Sequence, residues 1–91
     1  MKITRGKCPV CGYAGFDPLD DLGYTTYEIC PSCGCQSGYT YDAEVEESHI
    51  AAVRRHWFVV EGGRWWSGSH KVPIGWNAQD QLTSAGIQIP T

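Results

Sequence analysis

No long hydrophobic run interrupts this sequence. Its longest strongly apolar stretch, Trp57-Phe58-Val59-Val60, is far short of the ~20 residues a membrane-spanning helix needs. The N-terminal stretch Met1–Lys7 carries Lys2, Arg5 and Lys7, but no apolar segment of signal-peptide type follows it. A cytoplasmic location is the resulting expectation. The chain also lacks the positive balance of a general nucleic-acid binder, its formal net charge being −3. No low-complexity tract, phosphate-binding loop or nucleophile–base pair is visible, so an enzyme is not expected. With 91 residues, one small domain, or a module with an appendage, is the natural size. A chain this short buries a limited core and gains from a staple.

That staple is visible among five cysteines. In a reducing compartment, clustered cysteines read as metal ligands rather than disulfides, and their odd number weakens a purely disulfide reading. Cys8, Cys11, Cys30 and Cys33 form the pattern C-x2-C-x18-C-x2-C, within the spacing of a four-cysteine zinc site. Two cysteines separated by two residues can turn both sulfurs toward one point. The glycine that follows each pair, Gly12 or Gly34, permits the backbone conformation this needs. A closed site of four thiolates leaves no position for substrate or water, so the expected role of the ion is structural. One Zn2+ is expected, with iron as the competing metal, because tetrahedral thiolates accept either. Four thiolate charges less two from the ion would take the formal charge from −3 to −5.

The two cysteine pairs belong to an imperfect repeat, Lys7-Cys-Pro-Val-Cys-Gly-Tyr13 and Ile29-Cys-Pro-Ser-Cys-Gly-Cys35. A turn-rich acidic loop, Asp17–Gly23, lies between them, and the β-branched and aromatic run Tyr24–Ile29 reads as a strand entering the second pair. From Ala43 to Val60 the pattern is helical, with Asp42 as the expected N-cap. Glu44, Glu46 and Glu47 fall in the opening turns, Arg54, Arg55 and His56 toward the far end, and Gly62-Gly63 supplies a stop. Ile50, Val53, Trp57 and Val60 form its apolar stripe. Farther on, Asn77 is placed to cap a short helix over Ala78–Ala85, with Asp80 at its third position and Gly86 ending it; Ile87 and Ile89 read as a short terminal strand. The expected fold class is therefore small α+β. A two-knuckle metal site in residues 1–41, of zinc-ribbon or rubredoxin type, is followed in 42–91 by one main amphipathic helix and a short C-terminal helix, the whole expected to fold as one unit.

The run Cys8-Pro-Val-Cys-Gly-Tyr13, with Tyr27-Glu-Ile-Cys-Pro-Ser-Cys33, resembles the cysteine-rich CPCC family of small bacterial proteins. The likeness covers Lys7 to Gln36, about a third of the chain. It implies that the four matching cysteines are the ligands, and it suggests an association with toxin–immunity loci. Val10 stands where the family's first motif has a further cysteine, and Gly34-Cys35-Gln36 replaces its aromatic residue and acidic pair. The knuckles, with Asp17-Pro18 after the first, also resemble those of rubredoxin, although classical rubredoxins set the pairs farther apart.

The remaining residues with chemical potential have plainer readings. Cys35 reads as a small buried side chain rather than a reactive thiol. His49 and His56 share a helix face and, with His70, offer a second metal set, but no motif such as H-E-x-x-H completes it; surface or capping roles are expected. Trp65, Trp66 and Trp76 are expected to cover the main helix, with one ring of the adjacent pair exposed. The leading functional expectation is a structural-zinc module that binds another protein, such as a basic enzyme or toxin, in the manner of an inhibitor or immunity protein. Trp65, Trp66, Glu44, Glu46 and Glu47 are the candidate partner surface. The alternatives are an iron electron-transfer protein and a nucleic-acid-binding ribbon using Arg54, Arg55 and Arg64. No small-molecule substrate or membrane partner is expected.

Overall fold

The computed structural model describes residues 3–91; Met1 and Lys2, where the basic N-terminal stretch begins, lie outside the described residues. Two Cys-x-x-Cys turns come first. They are followed by α1 (Glu47–Arg55), a π-helical turn (His56–Val60) that continues it, an irregular tryptophan-rich segment, and α2 (Ala78–Ser84). None of these helices is long and apolar enough to cross a membrane. Strand structure among the described residues is limited to isolated bridges, Leu19 with Thr25, Ile29 with Gln36 and Ser37 with Tyr41. The β part of the expected α+β class is thus thin.

The expected strand at Tyr24–Ile29 is broken in its middle. Tyr27 has φ 61°, a left-handed conformation rare for a bulky residue. It interrupts the pleat, leaving one bridge on each side, at Thr25 and at Ile29. The expected terminal strand is absent as well; Ile87 and Ile89 instead lie partly buried against the core.

The main helix begins later than Ala43. Asp42 is not its cap: the N-cap is Glu46, in extended conformation and without a side-chain hydrogen bond. Only Glu47 of the three glutamates lies in the first turn. Val45 explains the delay, because it is buried, whereas at 100° per residue a helix starting at Ala43 would turn it well away from Ile50. Along the stripe, Ile50 and Trp57 are buried as expected, but Val60 is 63% exposed. The wider π turn, closed by the Glu61 N–H donating to the His56 carbonyl at 3.0 Å, carries Val60 off the stripe.

Both ends of α2 follow from local chemistry. The Asn77 side chain accepts from the Asp80 N–H at 2.8 Å. At the other end, the Gly86 N–H donates to Thr83 and the Ile87 N–H to Leu82, both at 3.0 Å, the paired bonds of a Schellman motif. The core gathers around the cysteines: Val10, Phe16 and Leu19 from the first half meet Ile50, Trp57 and Leu82 from the second. Burying each of these side chains contributes about 1.5–3 kcal/mol.

Candidate metal centre

The two cysteine turns repeat in structure as they do in sequence. In the first, the Gly12 N–H donates to the Cys8 carbonyl at 2.9 Å and the Cys8 N–H to the Tyr13 carbonyl at 3.0 Å. In the second, Gly34 donates to Cys30 at 2.8 Å and Cys30 to Cys35 at 2.9 Å. Gly12 and Gly34 each have φ 82°, which a side chain adopts only at a cost of about 1–2 kcal/mol. A Cβ at Gly12 would collide with Ala85, and one at Gly34 with the Trp66 ring.

These turns bring together all four sulfurs expected to act as ligands. Cys8, Cys11, Cys30 and Cys33 are buried, and their sulfurs lie within 4.8 Å of one another. Cys8 and Cys33 are 3.7 Å apart, Cys11 and Cys30 3.6 Å. A disulfide would need about 2.05 Å, and all five cysteines are free. A tetrahedron with metal–sulfur arms of about 2.3 Å has edges of about 3.8 Å, close to the spacings seen. Four cysteines so placed can hold a metal ion.

Electrostatics points the same way. Burial pushes the Cys8 thiol up, and hydrogen bonding with Cys11 raises Cys33, whereas hydrogen bonds from Cys11, Cys33 and Cys8 hold Cys30 well below the usual thiol range. The quartet thus concentrates charge on Cys30 while Cys8 and Cys33 resist ionisation. A buried dication removes that conflict by stabilising every thiolate at once. Two groups nearby also suit negative sulfur. Arg54 faces the charges of Cys8 and Cys11, although burial draws its pKa down. The Tyr41 hydroxyl is buried without a partner; burial, then the charges of Cys8, Cys33, Cys35 and Cys30, pushes its pKa up. It is an unused O–H donor within the field of the sulfurs.

Three supports of the turns were not assigned to the site from sequence. Arg54 donates to the Val10 carbonyl at 2.6 Å and the Pro9 carbonyl at 2.8 Å. Gln81 of α2 joins the two turns through one amide nitrogen, to the Cys11 carbonyl at 3.1 Å and the Ser32 hydroxyl at 2.8 Å. The Trp66 and Ser67 N–H groups donate to Ser32 and Pro31, each at 2.9 Å. A signal existed for Arg54, which stands four residues after Ile50 and so beside the buried stripe.

Trp65 and Trp66 each lie against one of the turns, while Trp76 packs against the core that includes Ile50 of the main helix. The Trp65 ring meets Tyr13 edge-on at 5.5 Å and Trp76 at 5.3 Å, while Trp66 lies over Gly34 and is 56% exposed. Cys35 is buried and lies outside the quartet. His49, His56 and His70 do not converge: their rings contact the Thr40 carbonyl, Glu61 and Ser67 respectively. Glu44, Glu46 and Glu47 are exposed.

No family model matches the chain, and no solved structure matches it. The chain is similar to an uncharacterized protein, YoaQ, of Bacillus subtilis (strain 168), with 40% identity over 47 residues; the match covers 48% of this chain and 40% of that protein's length.

Proposed function

We propose that this chain is a structural-metal module in which Cys8, Cys11, Cys30 and Cys33 hold one zinc ion and the surface built around them binds another protein. The observation that carries the reading is the sulfur spacing, 3.7 Å for Cys8–Cys33 and 3.6 Å for Cys11–Cys30, near the edge of a zinc tetrathiolate. The ion would supply folding free energy, not a reacting group, because four thiolates close its coordination shell. On this reading the protein is no enzyme, resides where thiols stay reduced, and belongs with the zinc-ribbon-like CPCC proteins its cysteine runs resemble. The partner would be a basic enzyme or toxin, held in the manner of an immunity protein.

The nucleic-acid alternative loses support from Arg54, whose guanidinium is engaged by the carbonyls of Pro9 and Val10 and so is not offered to phosphate. Arg55 is likewise directed to the Thr91 carbonyl.

Elemental analysis of protein produced with both metals available tests the site. One zinc per chain is the expected result. One iron with visible colour would instead favour the rubredoxin-like electron-transfer reading. Absence of both metals would overturn the proposal.

A further inference from the structure

Exposed aromatic rings also lie away from the tryptophans. Tyr39 is 83% and Tyr27 60% exposed. The two are neighbours, because the Tyr27 ring lies against Gly38 and the Tyr27 carbonyl accepts from Gln36 at 3.0 Å. Tyr39 also walls a groove of about 460 Å³ whose other lining includes Asp42, Glu44, Glu46 and His49. Among the described residues, none of these carboxylates forms an ion pair.

The charge along this stretch of chain is of one sign, and of its carboxylates only Asp17 and Asp21 pair with a cation, Arg5, among the described residues. Between Lys7 and Arg54 the chain contains no Lys or Arg, yet eight of its ten acidic residues fall there. The flanking arginines cannot neutralise the groove, since Arg54 and Arg55 are directed to the carbonyls of Pro9, Val10 and Thr91. His49, the one other titratable group lining it beyond the acids and tyrosines, has its Nε2 on the Thr40 carbonyl at 2.8 Å.

We propose that the Tyr27–Tyr39 face, with the carboxylates of Asp42, Glu44 and Glu46, docks a Lys/Arg-rich segment of a partner protein. Exposed tyrosine faces attract guanidinium and ammonium groups, and carboxylates beside them complete the pairing. A bare divalent cation fits less well: apart from the cysteine quartet, no three candidate ligand atoms converge among the described residues. Nucleic acid is repelled by the same charge. Cations carried at intervals along a polypeptide match carboxylates spaced at alternate positions along the groove. This inference rests on the protein-binding reading above and assigns its surface, keeping Glu44 and Glu46 and replacing the tryptophans by tyrosines.

The test uses metal-loaded protein and an octapeptide of alternating Arg and Gly, with spermine and calcium as small-cation controls, followed by NMR. The peptide is expected to perturb signals from Tyr27 and from Tyr39 to His49, less strongly as ionic strength rises. Tyr39→Ala should weaken binding about fivefold and Tyr39→Phe should restore it, since the ring and not the hydroxyl faces the cation. Glu44→Gln with Glu46→Gln should slow association and flatten its salt dependence. Perturbations spread evenly over all acidic residues, a silent Tyr39→Ala, or equal binding of spermine or calcium would overturn the proposal. A partner protein that binds the Tyr39→Ala variant at native affinity would overturn this face while leaving the protein-binding reading intact.

Discussion

In the first cysteine turn the Cys8 N–H reaches the Tyr13 carbonyl, and in the second the Cys30 N–H reaches Cys35, at distances that differ by 0.1 Å. Outside that shared frame the two have different neighbours. The first is clamped from the helical half, by Arg54 of α1 on two carbonyls and by Ala85 against Gly12. The second is covered by an irregular segment, through the Trp66 ring on Gly34 and the N–H groups of Trp66 and Ser67. Gln81 serves both. Repeated sequence dictates the turn, while unrelated sequence far along the chain dictates what holds it.

The largest effect should come from the element the turns have in common. Cys30→Ser removes one ligand from an ion whose binding free energy, ~10–16 kcal/mol in small zinc modules, is coupled to folding. Loss of metal stoichiometry and of cooperative thermal unfolding is expected. Cys35→Ser, outside the quartet, should keep one ion per chain. Metal loss in the Cys35 variant would show that the ligand set is wrong.

Next come the glycines. Gly12→Ala and Gly34→Ala each force a side chain into φ 82° and into a close neighbour, together costing about 2–5 kcal/mol by denaturant unfolding of loaded protein. The neighbours separate the two cases. Trp66 is half exposed and can swing away, so Trp66→Ala should rescue Gly34→Ala in part. Ala85 belongs to the backbone-bonded end of α2 and offers no such relief to Gly12→Ala. Equal responses of both variants to Trp66→Ala would erase the distinction.

Arg54→Met tests the first turn alone. Two carbonyls lose a charged donor from part-buried hydrogen bonds, which amounts to about 2 kcal/mol. Arg54→Lys should recover less than half, because an ammonium cannot reproduce the fork. The readout is a faster exchange of the metal, with amide signals shifted at Cys8 to Tyr13 and unmoved at Cys30 to Cys35. Shifts of equal size in both turns would mean that Arg54 acts through the whole fold.

What the sequence made legible has a physical pattern. The cysteine turns, the Asn77 cap and the Gly86 stop each arise from contacts within five residues, and each appears where local chemistry placed it. The misreadings involve residues whose positions are decided by distant partners. Val45 delays α1 by entering the core, Tyr27 breaks a strand whose composition favours one, and Trp65 packs edge-on against Tyr13, more than fifty positions away. Arg54 read as part of a charge gradient: its place beside the buried stripe was legible, but its partners, the Pro9 and Val10 carbonyls, stand more than forty positions away.

The smallest effect expected is also the most even-handed. Asn77→Ala deletes the side-chain acceptor of the Asp80 N–H and should destabilise α2 by about 1 kcal/mol. Asn77→Asp keeps the acceptor and adds a charge favourable at a helix N-terminus, so it should retain nearly native stability. Because α2 carries Gln81, whose amide touches Cys11 and Ser32 at once, fraying its start should loosen both turns equally. Amide exchange in metal-loaded Asn77→Ala protein should therefore quicken by similar factors at Gly12 and Gly34, whose N–H groups close the two turns. Quickening at Gly12 alone would mean that α2 braces only the first turn, through Ala85, and that the Gln81–Ser32 bond contributes nothing measurable to the second.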